Sequence, residues 1–145
     1  MSPKASPQMN SQDLRSFEAA AERILPATAG LPSAGDAGVA RYLERRAAEP
    51  GFETAAKRLR EGFALLDALS QDEIGCDFAD ASEARQEAVL RRLEAMPVPA
   101  ARRFFETLIN LTLTGYLCDP VHGGNHDRLA WQALGIHIER VPVAP

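Results

Sequence analysis

The sequence predicts an all-α fold: a single compact domain of five or six helices, with a Gly-Gly-Asn loop before a short last helix. Three observations predict it. Apolar residues recur at three- and four-residue steps in successive segments, the spacing that lines one face of a helix. No alternating strand pattern competes with them, and no self-similar period appears. The 145 residues include 25 alanines, the residue with the best helix propensity and one small enough to let helices approach closely.

The first helix is read from Leu14, Phe17, Ala20 or Ala21, Ile24 and Leu25, capped by Asn10 or Ser11, with Asp13 in its first turn and Pro26 ending it. Residues 28–36 (TAGLPSAGD) read as a loop, after which Val39, Tyr42 and Leu43 mark a second helix capped by Asp36. Glu49-Pro50-Gly51 closes it. A third helix spans Phe52 to Leu69 with a stripe through Leu59, Phe63 and Leu66, weakened locally by Gly62. The polar stretch 70–80 (SQDEIGCDFAD) is expected to turn into a fourth helix over Glu83 to Met96. Pro97 breaks the chain, and Pro99 suits the first position of a fifth helix. That helix, through Phe104, Phe105, Leu108, Ile109, Leu111, Leu113, Tyr116 and Leu117, is apolar nearly all round and is expected to be the most buried element. Asp119-Pro120-Val121-His122-Gly123-Gly124-Asn125 must then turn tightly, because Pro and paired glycines do not continue a helix cheaply. Asn125 is placed to cap a final helix through Trp131 to Leu134. Residues 1–11 read as a disordered lead, 12–135 as the helical domain and 136–145 as an extended tail.

Composition excludes several classes. A chain of this length buries about two-thirds of the surface its unfolded form exposes, so it folds without disulfides or a structural metal. Its formal charge is −4, from 16 Lys and Arg against 20 Asp and Glu, and basic residues such as Arg85, Arg91, Arg92, Arg102 and Arg103 are interspersed with Glu83, Glu87, Glu94 and Glu106. That is a solvated, salt-bridged helix face and not a nucleic-acid surface. The longest apolar runs fall short of the ~20 residues a membrane span needs. Two cysteines, Cys76 and Cys118, set no disulfide framework.

Chemistry-bearing spacings are few. Cys118, His122 and His126 stand at four-residue intervals beside Asp119 and Asp127, and these are ordinary zinc-ligand types. Pro120 and the glycine pair interrupt the helix that would align them, so no metal ligand is assigned. Cys118 with His122 resembles a thiol–imidazole pair only in spacing, and a Cys ending an apolar helix is ordinarily a core residue. No phosphate loop, GxSxG or HExxH run is present, and no catalytic residue is assigned.

From Phe105-x-x-Leu108 through Thr114-Gly115-Tyr116-Leu117-x-Asp119-Pro120-x-His122-Gly123-Gly124-Asn125 to Trp131-x-x-Leu134-Gly135, the sequence resembles the gluconate 2-dehydrogenase subunit 3 family. Glu22-Arg23-Ile24-Leu25-Pro26 and Ala37-Gly38-Val39 leading into Tyr42-Leu43 resemble the family's opening motif. The likeness covers about Leu14 to Gly135, with the middle helices matched by pattern. It implies a small accessory subunit that carries no cofactor of its own. The partner implied is a large flavoprotein dehydrogenase of the glucose-methanol-choline (GMC) type holding FAD, with a cytochrome c subunit carrying haem c as a third member. Substrates of such assemblies are sugars, glycosides or gluconate. The likeness also implies a periplasmic complex, whereas the N-terminal MSPKASPQMNSQ carries no apolar export segment or twin arginine, which leaves a cytoplasmic location open. His122 stands where the family more often has an aromatic residue.

The turn itself admits two readings. It is either a self-contained structural turn or a docking surface whose contacts are Tyr116, Asp119, Pro120, His122, Gly123, Gly124, Asn125 and Trp131. On the docking reading, Gly124→Val is expected to weaken association more than the isolated fold. The functional expectation is a non-catalytic subunit that binds and stabilises the flavoprotein and helps it mature or reach its compartment. The alternatives are a subunit whose 119–125 loop completes the partner's active site, a freestanding metal-dependent enzyme using Cys118, His122 and His126, and a helical adaptor.

Overall fold

A computed structural model describes residues 9–138, and over them the chain is built from helices. These are α1 (Ser11–Ile24), α2 (Val39–Ala47), α3 (Glu53–Ile74), α4 (Glu83–Ala95), α5 (Pro99–Leu117) and α6 (Leu129–Leu134), with short 3₁₀ turns at Phe78–Asp80, Pro120–His122 and His126–Arg128. The expected lead and tail lie largely in 1–8 and 139–145, outside the described residues. Within them, Met9 is buried in the core and α1 begins at Ser11, so the helical unit starts ahead of residue 12. Ile136 to Ile138 form no regular element.

Local chemistry explains most boundaries. Asn10, not Ser11, caps α1: its Oδ1 accepts from the Asp13 amide at 2.7 Å, an interaction worth about 1 kcal/mol. Asp36 does not cap α2. It and Ser33 instead close a reciprocal turn, the Asp36 carboxylate accepting from the Ser33 amide at 3.1 Å and the Ser33 hydroxyl from the Asp36 amide at 3.0 Å. Gly38, in the left-handed region at φ 73°, then starts the helix with no side-chain cap.

The third helix runs on past Leu69 to Ile74, because Gln71, Asp72 and Glu73 are tolerable helix residues at exposed positions and the small Ser70 fits in the buried face. It stops at Gly75, whose amide bonds back to Ser70 and Gln71. Beyond it, the isolated apolar Phe78 of the polar stretch proves to be a fully buried core residue. Its amide donates to Asp67 Oδ1 at 3.0 Å, and its carbonyl accepts from Gln86 Nε2 at 3.1 Å.

Phe17, Phe63, Leu66, Leu93 and Leu108 are the centre of a core to which all five long helices contribute. Gly62 has a packing reason. A Cβ there would stand 2.0 Å from the Phe104 ring, so the glycine opens a seat for that ring on the α3 backbone. Phe104 then meets Phe63 edge-on, centroids 5.3 Å apart, a geometry that adds about 1 kcal/mol to the area buried.

α5 touches every other helix, yet it is not buried all round. Ala101, Phe104, Leu108, Thr112, Gly115 and Tyr116 face inward, whereas Leu113 and Leu117, one turn apart, are 41% and 42% exposed. Among the described residues no element covers that face.

Candidate functional site

The segment after α5 is folded back onto the bundle by a series of specific bonds. The Asp119 carboxylate accepts from the Val121 amide at 2.9 Å, which sets up the 3₁₀ turn that Pro120 begins. Gly123, at φ 100°, reverses the chain and lies against α2, where a Cβ would stand 2.9 Å from Arg45 Cδ and 3.1 Å from the Arg41 carbonyl. Gly124 then rests on the α5 backbone itself: its Cβ would be 2.0 Å from the Gly115 carbonyl oxygen. That carbonyl accepts from the Asn125 amide at 2.9 Å.

Asn125 is the hub. It is fully buried; its Nδ2 donates to the Cys118 carbonyl at 2.9 Å, and its Oδ1 accepts from the amides of Ala130 and Trp131 at 3.0 and 3.4 Å. It therefore makes the hydrogen bonds of an N-cap for α6 from several residues upstream, while Arg128 occupies the formal cap position. The His126 amide reaches the Ala37 carbonyl at 2.8 Å and ties the turn to the loop before α2. Trp131 Nε1 donates to the Leu117 carbonyl at 2.8 Å, and the Tyr116 hydroxyl to the Pro32 carbonyl at 2.7 Å. The 28–36 loop is held in turn by Glu22, whose Oε1 accepts from Ser33 Oγ and the Gly35 amide, each at 2.7 Å.

The structure thus brings all eight singled-out residues to one end of the bundle, but most face their own chain. Tyr116, Gly123, Gly124, Asn125 and Trp131 are buried, Asp119 and Pro120 are half-buried, and His122 is exposed beside Val121. The inner five fix the shape of the turn, and its tip is what meets solvent.

Titration follows the same burial. Desolvation raises the Tyr116 hydroxyl above its ordinary value, with Asp36 adding to the effect. Burial also pushes up the Cys118 thiol, partly offset by the Gly124 amide. A thiol held protonated is a poor nucleophile, and Cys118 Sγ rests against the Gly115 carbonyl at 3.6 Å. Among the described residues no group of three or more His, Cys, Asp or Glu could hold a metal. Cys118, His122 and His126 therefore form no ligand set, because Pro120 and the left-handed residues destroy the helical register that would align them. His126 Nε2 lies instead 3.2 Å from Asp127 Oδ2.

Sequence reasoning missed two features of this end. Asn125, Asp127 and Arg128 all sit in the left-handed region, at φ 44°, 52° and 60°, a conformation costing about 1 kcal/mol or more for each side-chain-bearing residue. Beside this strained turn is an open cleft lined by Arg41, Arg45, His126, Asp127 and Arg128, with a volume of about 360 Å³. The signal was legible in part. Arg41 and Arg45 are four apart and exposed on α2, shortly after the Ala37-Gly38-Val39 run, but nothing in the sequence said that Arg128 would face them.

A family model described as gluconate 2-dehydrogenase subunit 3 matches residues 11–137. The chain belongs to that family. As a gluconate 2-dehydrogenase subunit 3 family member, it is of a type that works in a complex with other subunits of a dehydrogenase. No curated protein and no solved structure matches the chain. The matched span takes in both the opening Glu22 to Leu43 region and the closing turn, the two parts of this subunit that the Tyr116–Pro32 and His126–Ala37 bonds join.

Proposed function

We propose that this chain is a small, non-catalytic subunit that binds and stabilises a large FAD-dependent dehydrogenase of the GMC type, acting on sugars, glycosides or gluconate. The observation that carries the reading is the distribution of exposed apolar side chains. Of eight large hydrophobic residues exposed among the described residues, six lie between 113 and 138: Leu113, Leu117, Val121, Leu134, Ile136 and Ile138. In sequence they flank, or lie within, a segment whose turn is closed by specific hydrogen bonds. Exposed apolar side chains carried on a fixed frame suit a subunit interface. Among the described residues no helix is long and apolar enough to cross a membrane. FAD belongs to the partner in this reading, haem c to a cytochrome subunit when one is present, and the complex works in the periplasm.

A second reading has the same surface reach the partner's active site, and the exposed imidazole of His122 at the tip of the turn favours it. Co-expression with a GMC-type flavoprotein from the same source tests both. Co-elution, with dye-linked sugar oxidation that depends on this chain, supports the subunit role. A flavoprotein that is fully active and runs alone refutes it. His122→Ala then separates the readings: a complex that forms with unchanged turnover leaves the turn a docking element, and one that forms with reduced turnover places the turn at the reacting centre.

A further inference from the structure

The chain as a whole is acidic, yet the cleft between α2 and the 123–128 turn is cationic. Arg41, Arg45 and Arg128 line it, and Asp127, beside His126, is the carboxylate among its lining residues. All three arginines are exposed. Among the described residues, no carboxylate comes within ion-pair distance of any of them. Arg45 is held in place by a bond from its Nη1 to the Val121 carbonyl at 2.9 Å, so the guanidinium stands directly beside the exposed apolar Val121. Arg128 is presented from a left-handed backbone position that an arginine adopts only at a cost.

We infer that this cleft receives a carboxylate side chain on an acidic segment of the partner flavoprotein. The inference rests on the subunit reading above and names the chemistry of the contact. Guanidinium groups grip a carboxylate through two parallel N–H donors, and three of them around one opening leave net positive charge that an acidic segment neutralises. The cleft is shallow and open, unlike a pocket that encloses most of a small ligand's surface. Val121, whose carbonyl accepts from the lining residue Arg45, also carries an exposed apolar side chain, which suits a polypeptide carrying an acidic residue next to an apolar one. Charged residues at the edge of an apolar patch set register and speed encounter.

The test is the affinity of the full chain for its co-expressed flavoprotein at about 50 mM and about 300 mM NaCl, conditions between which exposed charge pairs are progressively screened. Wild type is expected to bind more weakly at the higher salt. The double charge reversal Arg41→Glu with Arg128→Glu is expected to bind about tenfold or more weakly at low salt and to lose most of the salt dependence, with an unchanged thermal melt. Arg41→Gln with Arg128→Gln should fall between the two. A reversed variant that binds as wild type does, with the same salt dependence, overturns the inference and leaves the subunit reading standing. Failure of wild type to bind at either salt overturns both. A small-anion site is the remaining outcome: inorganic phosphate that binds the isolated wild-type chain, is lost in the reversed variant and leaves complex formation unaffected would also overturn the docking inference.

Discussion

The side of the molecule built from α1, α3 and α4 and the end built from α2, the last turns of α5 and residues 118–138 are held together by different means. On the first side, stability comes from area: Phe17, Phe63, Phe78, Leu66, Val89 and Leu93 are fully buried, and the cost of any one contact is shared. At the second, single bonds and close backbone approaches do the holding, through Asn125, Gly124 on Gly115, and the Tyr116 and Trp131 donors. The second end also accepts three left-handed non-glycine residues and most of the exposed apolar side chains. The difference teaches where packing is an end in itself and where it is used to present something. A surface that must keep one shape for a partner needs directional bonds, because apolar contact alone tolerates rearrangement.

Four substitutions would break or sharpen that contrast. The largest loss is expected from Phe63→Ala, which empties a fully buried aromatic site under Phe104. It should cost about 3–5 kcal/mol in urea titration and unfold the whole molecule together. Gly124→Val comes next. The new Cβ would meet the Gly115 carbonyl, which is backbone and has no rotamer to yield, so a loss of about 3 kcal/mol is expected. The isolated fold and the association should then fall together, which reverses the expectation from sequence that association suffers more. A variant that melts as wild type does would mean that the turn can lift from α5.

A smaller effect is expected on the first side from acidity. Burial raises both Asp13 and Asp67 above the ordinary carboxylate value; Arg60 opposes this for Asp13, and the Phe78 amide opposes it for Asp67. A carboxyl whose folded value lies above its unfolded one holds more protons in the folded state. The contribution of these groups is therefore most favourable below the unfolded value of about 4 and declines as pH rises through the raised folded value. Asp13→Asn, which removes a carboxylate with one oxygen buried and unbonded among the described residues, should flatten the change in melting temperature between pH 4 and pH 7. An unaltered pH profile would place the titration elsewhere. The smallest effect on folding is expected from Leu117→Ser on the exposed face, within about 0.5 kcal/mol of wild type. Its consequence should be read in co-elution with the flavoprotein, which it is expected to weaken.

The sequence made the helices legible because periodicity reports which residues meet, and the meeting partners of Leu59, Phe63 and Leu66 lie on a face that the pattern already marks. Caps and ends were legible only where one residue decides them, as Pro26 and Pro99 do. Asp36 misled because its side chain had a nearer partner in Ser33. Phe78 was hidden because one apolar residue in a polar run has no period. At the site, the residues of the Gly-Gly-Asn turn could be named from their types, but not the direction they face. Glycine next to Asn fits a turn against solvent as well as a turn pressed onto a helix, and only the position of Gly115 distinguishes them. The cationic cleft needed the fold, since Arg128 and Arg41 are far apart in the chain.

The bonds made by Asn125 carry a further consequence, for the length of the chain. One side chain measures the distance back to Cys118 and forward to Ala130 and Trp131, while its own amide is fixed to Gly115 and the next to Ala37. An extra residue anywhere between 118 and 131 would leave these spans unequal to the bonds that close them. This stretch has the look of a surface loop, which would ordinarily absorb insertions, yet it is gauged as strictly as a helical turn. A fused tag or an inserted peptide belongs outside it.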